Sequence, residues 1–266
     1  MNKNWIHAQA DFNVTQFDES MQLHNKDAPS YLKSAEKYYA RVCIECNYLD
    51  AVKLINWETI LKENTVILDM GSGGGWLAGY LSLFNSVSSI YALDSSKYFL
   101  LDMMPRIIKL MGANYQKIIP VEGLFTPLLL DNESLDIVVA SSALHHADNL
   151  ESALREIRRT LKKDGFLIIL NETPGSAARH LFRVIKAFSK ILKNLLLRKY
   201  FSESPSISSG GYLYDPNLGD RAYPAWYWQQ AIKCAGFSIV EQIDTGLPTL
   251  KSQSGQSLVH FICKVL

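Results

Sequence analysis

The stretch VILDMGSGGGWLAGYL, residues 66–81, constrains this chain more than any other: an apolar run ends in an acid, a glycine-rich turn follows, and a helical pattern begins. Gly71, Gly73 and Gly75 occupy alternate positions. Glycines so placed let a chain turn sharply after a strand and bring main-chain N–H groups close to a ligand with no Cβ in the way. The run therefore predicts strand, tight turn and helix around a nucleoside-containing small molecule.

Further apolar runs repeat the pattern. SSIYALD ends at Asp94, YQKIIPVEG carries Glu122 and Gly123, and ESLDIVVASSALHHADN ends in a polar tip with Ser141, Ser142, His145 and His146. EIRRTLKKDGFLIILNET then runs from an amphipathic helix, with Lys162 and Lys163 near its end, into a fifth strand. Five strand signals alternating with helices over 63–172 predict an α/β fold with a doubly wound, mostly parallel sheet. In open sheets of this kind ligands bind at the C-terminal strand ends, where Gly71, Asp94, Glu122 and Ser141 fall. Asp94 suits the ribose hydroxyls, and it also reads as an N-cap of the helical stretch KYFLLDMMPRIIKLM.

A dinucleotide fingerprint would need a small residue where this chain has Trp76. The pattern Asp-x-Gly-x-Gly-x-Gly instead resembles the first motif of the class I S-adenosylmethionine-dependent methyltransferases, and the order of motifs over 66–172 is similar to theirs. The resemblance implies S-adenosylmethionine as cofactor and a seven-stranded, Rossmann-like sheet closed by an antiparallel pair, here FSIVEQID and SLVHFICKV. It implies cofactor contacts from Asp69, Gly71, Ser72, Gly73, Asp94, Ser95 and Ser141. Glu122, Gly123 and Leu124 take the adenine edge, with Glu122 standing where Asp is usual. After the fourth strand the chain reads Ser-Ser-Ala-Leu, not the Asn/Asp-Pro-Pro-aromatic tetrapeptide of DNA-amine methyltransferases.

Methyl transfer from a sulfonium is an in-line displacement, so a protein base is needed only when the acceptor must lose a proton. His146 and then His145 are the candidate bases, and His24 ranks behind them. The bland alternative has one ring bonding the loop backbone and the other capping the helix DNLESALREIRR. Tyr212 and Tyr214, in a Gly/Ser-rich loop, are candidate substrate contacts, while Trp226 and Trp228 read as core.

Residues 1–62 read as an N-terminal arm: a polar, cofactor-covering segment over 5–30, then helices over 31–46 and 48–61. Residues 63–266 form the cofactor-binding domain, with 173–222 as an inserted lid or substrate region. Within the insertion, Arg179, Arg183, Lys186, Lys190 and Lys193 share helical spacing with Leu181, Val184, Phe188, Ile191 and Leu195. The helix over 176–200 reads as a lid with a solvated basic face, a membrane-surface helix or a dock for an acidic partner.

A net charge of +1 argues against nucleic acid as a partner. No apolar signal core or membrane-spanning run occurs, which predicts a cytoplasmic protein. Cys43 and Cys46 lie in a helical pattern without a second pair, so no metal site is expected. The reading is a methyltransferase acting on oxygen or nitrogen of a small-molecule biosynthetic intermediate. A membrane-surface enzyme with a lipid or quinone-like acceptor, and a non-catalytic nucleoside-binding partner subunit, are the alternatives.

Overall fold

The computed structural model describes residues 3–9, 30–147, 149–175, 223–252 and 256–266. His24, Tyr212, Tyr214 and the helix expected over 176–200 lie outside them. Near-continuous apolar runs build the central strands because both faces are covered, as a parallel sheet requires. Ile67 packs into one core, with Trp57, Leu77 and Ile107, while its neighbours Leu68 and Met70 enter the other, with Leu154, Trp228 and Phe261. Alternation along one strand thus feeds two cores.

The strands are β1 (Lys3–Asn4), β2 (Thr65–Met70), β3 (Val87–Asp94), β4 (Ile118–Glu122), β5 (Leu135–Ser141), β6 (Leu161–Glu172), β7 (Phe237–Pro248) and β8 (Ser257–Val265). Their order is β1-β4-β3-β2-β5-β6-β8-β7, and β8 alone runs against its neighbours. The sheet has eight strands, not seven. The extra one comes from the arm: Lys3 and Asn4 pair in parallel with Val121 and Glu122, and Trp5 N–H continues the ladder to Glu122 O at 2.7 Å.

Of the helices, α1 (Ala35–Tyr39) passes into a π-helical turn at Ala40–Glu45, and α2 (Tyr48–Val52) and α3 (Trp57–Ile60) follow. The two longer helices expected in the arm are therefore broken, the first by this change of pitch and the second at 53–56. Past the glycine turn come α4 (Trp76–Ser82), α5 (Met104–Leu110), α6 (Leu150–Thr160) and α7 (Ala225–Cys234). Helix α6 is capped by Asn149, whose side chain accepts from Ser152 N–H, rather than by a histidine. Lys162 and Lys163 lie in β6, not at the helix end.

In α7, Tyr227, Trp228, Ala231 and Ile232 share the buried face. Trp228 stacks on Phe261, but Trp226 falls off that face and is 48% exposed, contrary to its expected core role. Gly175 N–H donates to Tyr223 O at 3.0 Å, so the described residues on either side of 176–222 meet beside the end of β6. Among the described residues no helix is long and apolar enough to cross a membrane.

Candidate functional site

Chain order reverses at β2: the next strand, β3, lies on one side and β5 on the other. Such a switch point opens a crevice at the strand ends. The glycine turn lies there. Gly71 (φ 75), Gly73 (φ 49) and Gly75 (φ 76) are all left-handed, and a Cβ on Gly71 would come within 2.6 Å of Ala143 Cβ. Only glycine meets both demands.

The turn's own N–H groups are not free, contrary to what the glycine spacing suggests. Gly71 and Ser72 donate to Leu93 O, Gly73 to Asp94 Oδ2, Gly74 to the Tyr38 hydroxyl and Gly75 to Ser72 O. What the turn leaves open is a side chain: Ser72 Oγ is buried without a hydrogen-bond partner.

Two acids flank the turn. Asp69 is buried on the α4 side, its Oδ2 accepting from Ala78 N–H at 3.1 Å. Burial pushes its carboxyl up to about 7, the Ala78 bond opposing this and the Asp94 charge adding to it. Asp94 accepts from Gly73 N–H and Ser96 N–H, both at 2.8 Å. Burial raises its pKa too, against those N–H bonds and the nearby His146. Ser95, half-buried, contributes a further N–H bond to this carboxylate.

Beyond β4, Glu122 Oε2 accepts from Asn4 Nδ2 at 2.9 Å, and Gly123 N–H donates to Asp94 O at 3.0 Å. Leu124 is held on both sides by the Gln9 carboxamide: its N–H donates to Oε1 at 2.9 Å, and its C=O accepts from Nε2 at 3.1 Å. Gln9 Nε2 also donates to Pro127 O at 2.8 Å. The main-chain groups assigned to the adenine edge are thus engaged within the protein.

On the β5 and β6 side, His145 Nδ1 lies 2.9 Å from Glu172 Oε2. Glu172 is 3% exposed, and its Oε1 is buried without a partner. Ser141 Oγ accepts from Asn171 Nδ2 at 2.8 Å, and Asn171 Oδ1 is a second orphaned buried acceptor. Asn171 sits at φ 55, its N–H donating to His260 Nδ1 while His260 Nε2 donates to Ala51 O. His146, ahead of His145 on sequence grounds, is exposed, its ring centroid 4.1 Å from that of His145. Tyr48 hydrogen-bonds Ser142, and burial raises its phenol to about 12.

Tyr38, Gln9, Asn171 and Glu172 join the candidate residues only through the structure. For Glu172 a signal exists: like Asp69 and Asp94, it is an acid at or next to the end of an apolar strand. Cys43, Cys46, Cys234 and Cys263 are free thiols, and no cluster suited to a metal occurs among the described residues.

S-adenosylmethionine fits this donor set. The glycine cradle would be filled by any Cβ, Ser72 Oγ lacks a partner, and Asp94 places a carboxylate at the tip of β3. Residues 68–169 match the family model described as a methyltransferase domain. The iterative polyketide synthase afoE of Emericella nidulans is 24% identical over 191 residues, 70% of this chain and 6% of the synthase. The hybrid PKS-NRPS synthetase iliA of a Neonectria species is 30% identical over 120 residues, 44% of this chain and 3% of that protein. The chain therefore spans only a small part of these relatives' length. A SAM-dependent methyltransferase from Aquifex aeolicus superposes with a TM-score of 0.53 at 14% identity, covering 93% of this chain and 98% of its own. That likeness is one of fold.

Proposed function

We propose that this chain, whose residues 68–169 match a methyltransferase domain, is a class I S-adenosylmethionine-dependent methyltransferase that methylates a small-molecule biosynthetic intermediate at an atom that must first lose a proton. Such an atom is a hydroxyl oxygen or a carbon made acidic by neighbouring carbonyls. The observation that carries the reading is the His145–Glu172 pair, set just past the end of β5 and at the end of β6. An imidazole oriented by a buried carboxylate suits proton removal near neutral pH, and an acid partner stabilises the cation that forms. An amine acceptor needs no such pair once its nitrogen is neutral. The match to polyketide synthases supports an intermediate of biosynthetic type.

When bound, S-adenosylmethionine supplies the methyl group on a sulfonium, activated for displacement. Asp94 would hold the ribose, and Ser72 and the cradle at Gly71–Gly75 would hold the amino-acid end. Glu122 serves the adenine side. His145, oriented by Glu172, takes the acceptor's proton.

The test is methyl transfer from labelled cofactor to a panel of phenols, alcohols and β-dicarbonyl compounds, with the methylated atom located by mass spectrometry. Replacing His145→Ala or Glu172→Gln should lower turnover by roughly 10²–10⁴-fold and leave S-adenosylhomocysteine affinity within about threefold of wild type. Wild-type turnover in both variants, or methylation confined to amines, would sink the reading.

A further inference from the structure

The geometry points to Tyr38 as a cofactor-binding residue whose hydroxyl donates to the carboxylate at the amino-acid end of S-adenosylmethionine. This rests on the cofactor, not on the nature of the acceptor. Tyr38 is buried, and its ring lies on Phe99, with centroids 5.6 Å apart. Its oxygen accepts from Gly74 N–H at 3.2 Å and lies 2.7 Å from where a Cβ on Gly73 would stand. A phenol offers one proton as well as its lone pairs. With Gly74 on the accepting side, the proton is left to give.

The reason a donor is needed there follows from the turn itself. Helix-leading glycine turns hold anionic groups through main-chain N–H groups, but here all five from Gly71 to Gly75 are spent within the protein. Donors within Gly71–Gly75 itself must come from side chains, and among the described residues Ser72 and Tyr38 stand there. Tyr38 reaches the turn from α1, so the arm contributes a binding group and not only a cover. Burial pushes its phenol well above the ordinary range, so it stays protonated at any working pH. Asp94 is the competing acceptor, and its charge acts on the Tyr38 hydroxyl. A bond to Asp94 would serve the ribose instead, and the two roles separate by experiment.

Calorimetry with two ligands makes the distinction. S-adenosylhomocysteine carries the carboxylate; its decarboxylated analogue, S-adenosyl-3-thiopropylamine, keeps the adenosine, the sulfur and the amine. Wild type should bind the first at least tenfold more tightly. Tyr38→Phe should weaken the first by roughly 10–150-fold, the loss of one hydrogen bond to a charged group, and leave the second within twofold. Equal weakening of both ligands would assign Tyr38 to Asp94 or to the shape of the turn and overturn the proposal. Unchanged binding in Tyr38→Phe overturns it as well. Wild type alone tests the idea if the variant misfolds: equal affinity for the two ligands means no carboxylate site exists. Absence of any S-adenosylhomocysteine binding would remove the cofactor premise, and this proposal with it.

Discussion

Asp69 and Asp94 end neighbouring strands, yet their surroundings assign them different tasks. Asp94 receives main-chain N–H bonds from Gly73, Ser95 and Ser96 at the tip of β3. Replacing it with alanine should weaken S-adenosylhomocysteine binding by about 1–3 kcal/mol, read by calorimetry, because charge-assisted bonds to the ribose go with it. Asp69 has one N–H bond and burial to contend with, and its carboxyl is raised from 3.8 to about 7. A carboxyl whose folded-state pKa exceeds its unfolded value binds a proton more tightly when folded. Its stabilising effect is complete below about pH 4 and is lost as pH rises through 7. Stability should therefore fall by a few kcal/mol between pH 4 and pH 8 on this account. Asp69→Asn, of the same shape but without the charge, should flatten that slope in urea titrations of the cofactor-free protein. An unchanged slope would mean that Asp69 is ionised throughout.

At the scale of elements, β1 and the residues after it brace the loop beyond β4. Gln9, 4% exposed, spans three main-chain groups, two on half-buried Leu124 and one on Pro127. Gln9→Ala should lower stability by about 1–3 kcal/mol, seen as a drop in the urea midpoint, since Leu124 and Pro127 are left with unpaired groups. An unchanged midpoint would show that solvent replaces the amide without loss. Nothing near Lys3 and Asn4 announces a strand: two polar residues carry no period, and their pairing with β4 is settled by a partner more than a hundred positions away. The same holds for Gln9 with Leu124, and over a shorter span of 36 positions the pairing of Tyr38 with Gly74 is equally silent in the sequence. By contrast β2, β3, β5 and β6 were legible because burial on both faces writes itself as unbroken apolar runs. The glycines and strand-end acids were legible because backbone geometry restricts which residues can stand there. The polar tip after β5 was legible in the sequence, but the contact of His145 with Glu172 was not. Which ring turns to Glu172 depends on where β6 lies beside β5, and sequence spacing within the loop carries no information on that.

Taken as one body, the sheet gathers groups from β2, β3, β4, β5 and β6 at a single edge, while its two cores lie on opposite faces. The turn after β2 leans on both. Gly71 meets Ala143 of one core, whereas Gly74 and Gly75 meet Ile107 and Met104 of the other. A ligand seated on this turn therefore contacts residues that only the complete fold brings together, and the unfolded chain offers it nothing comparable. Binding to the native state alone raises stability by RT ln(1 + [L]/Kd), about 2.7 kcal/mol at a hundredfold excess over Kd. For a chain of 266 residues that corresponds to a rise in melting temperature of about 5 °C. The increment should grow with the logarithm of S-adenosylhomocysteine concentration. It should also shrink in Asp94→Ala at a fixed concentration, by the same free energy that calorimetry gives for the lost affinity. Gly71→Ala should abolish it, because the new Cβ collides with Ala143 in a backbone conformation that alanine adopts at a cost of about 1–2 kcal/mol. A ligand-induced rise in Gly71→Ala equal to that of wild type would show that the cofactor does not sit on this turn.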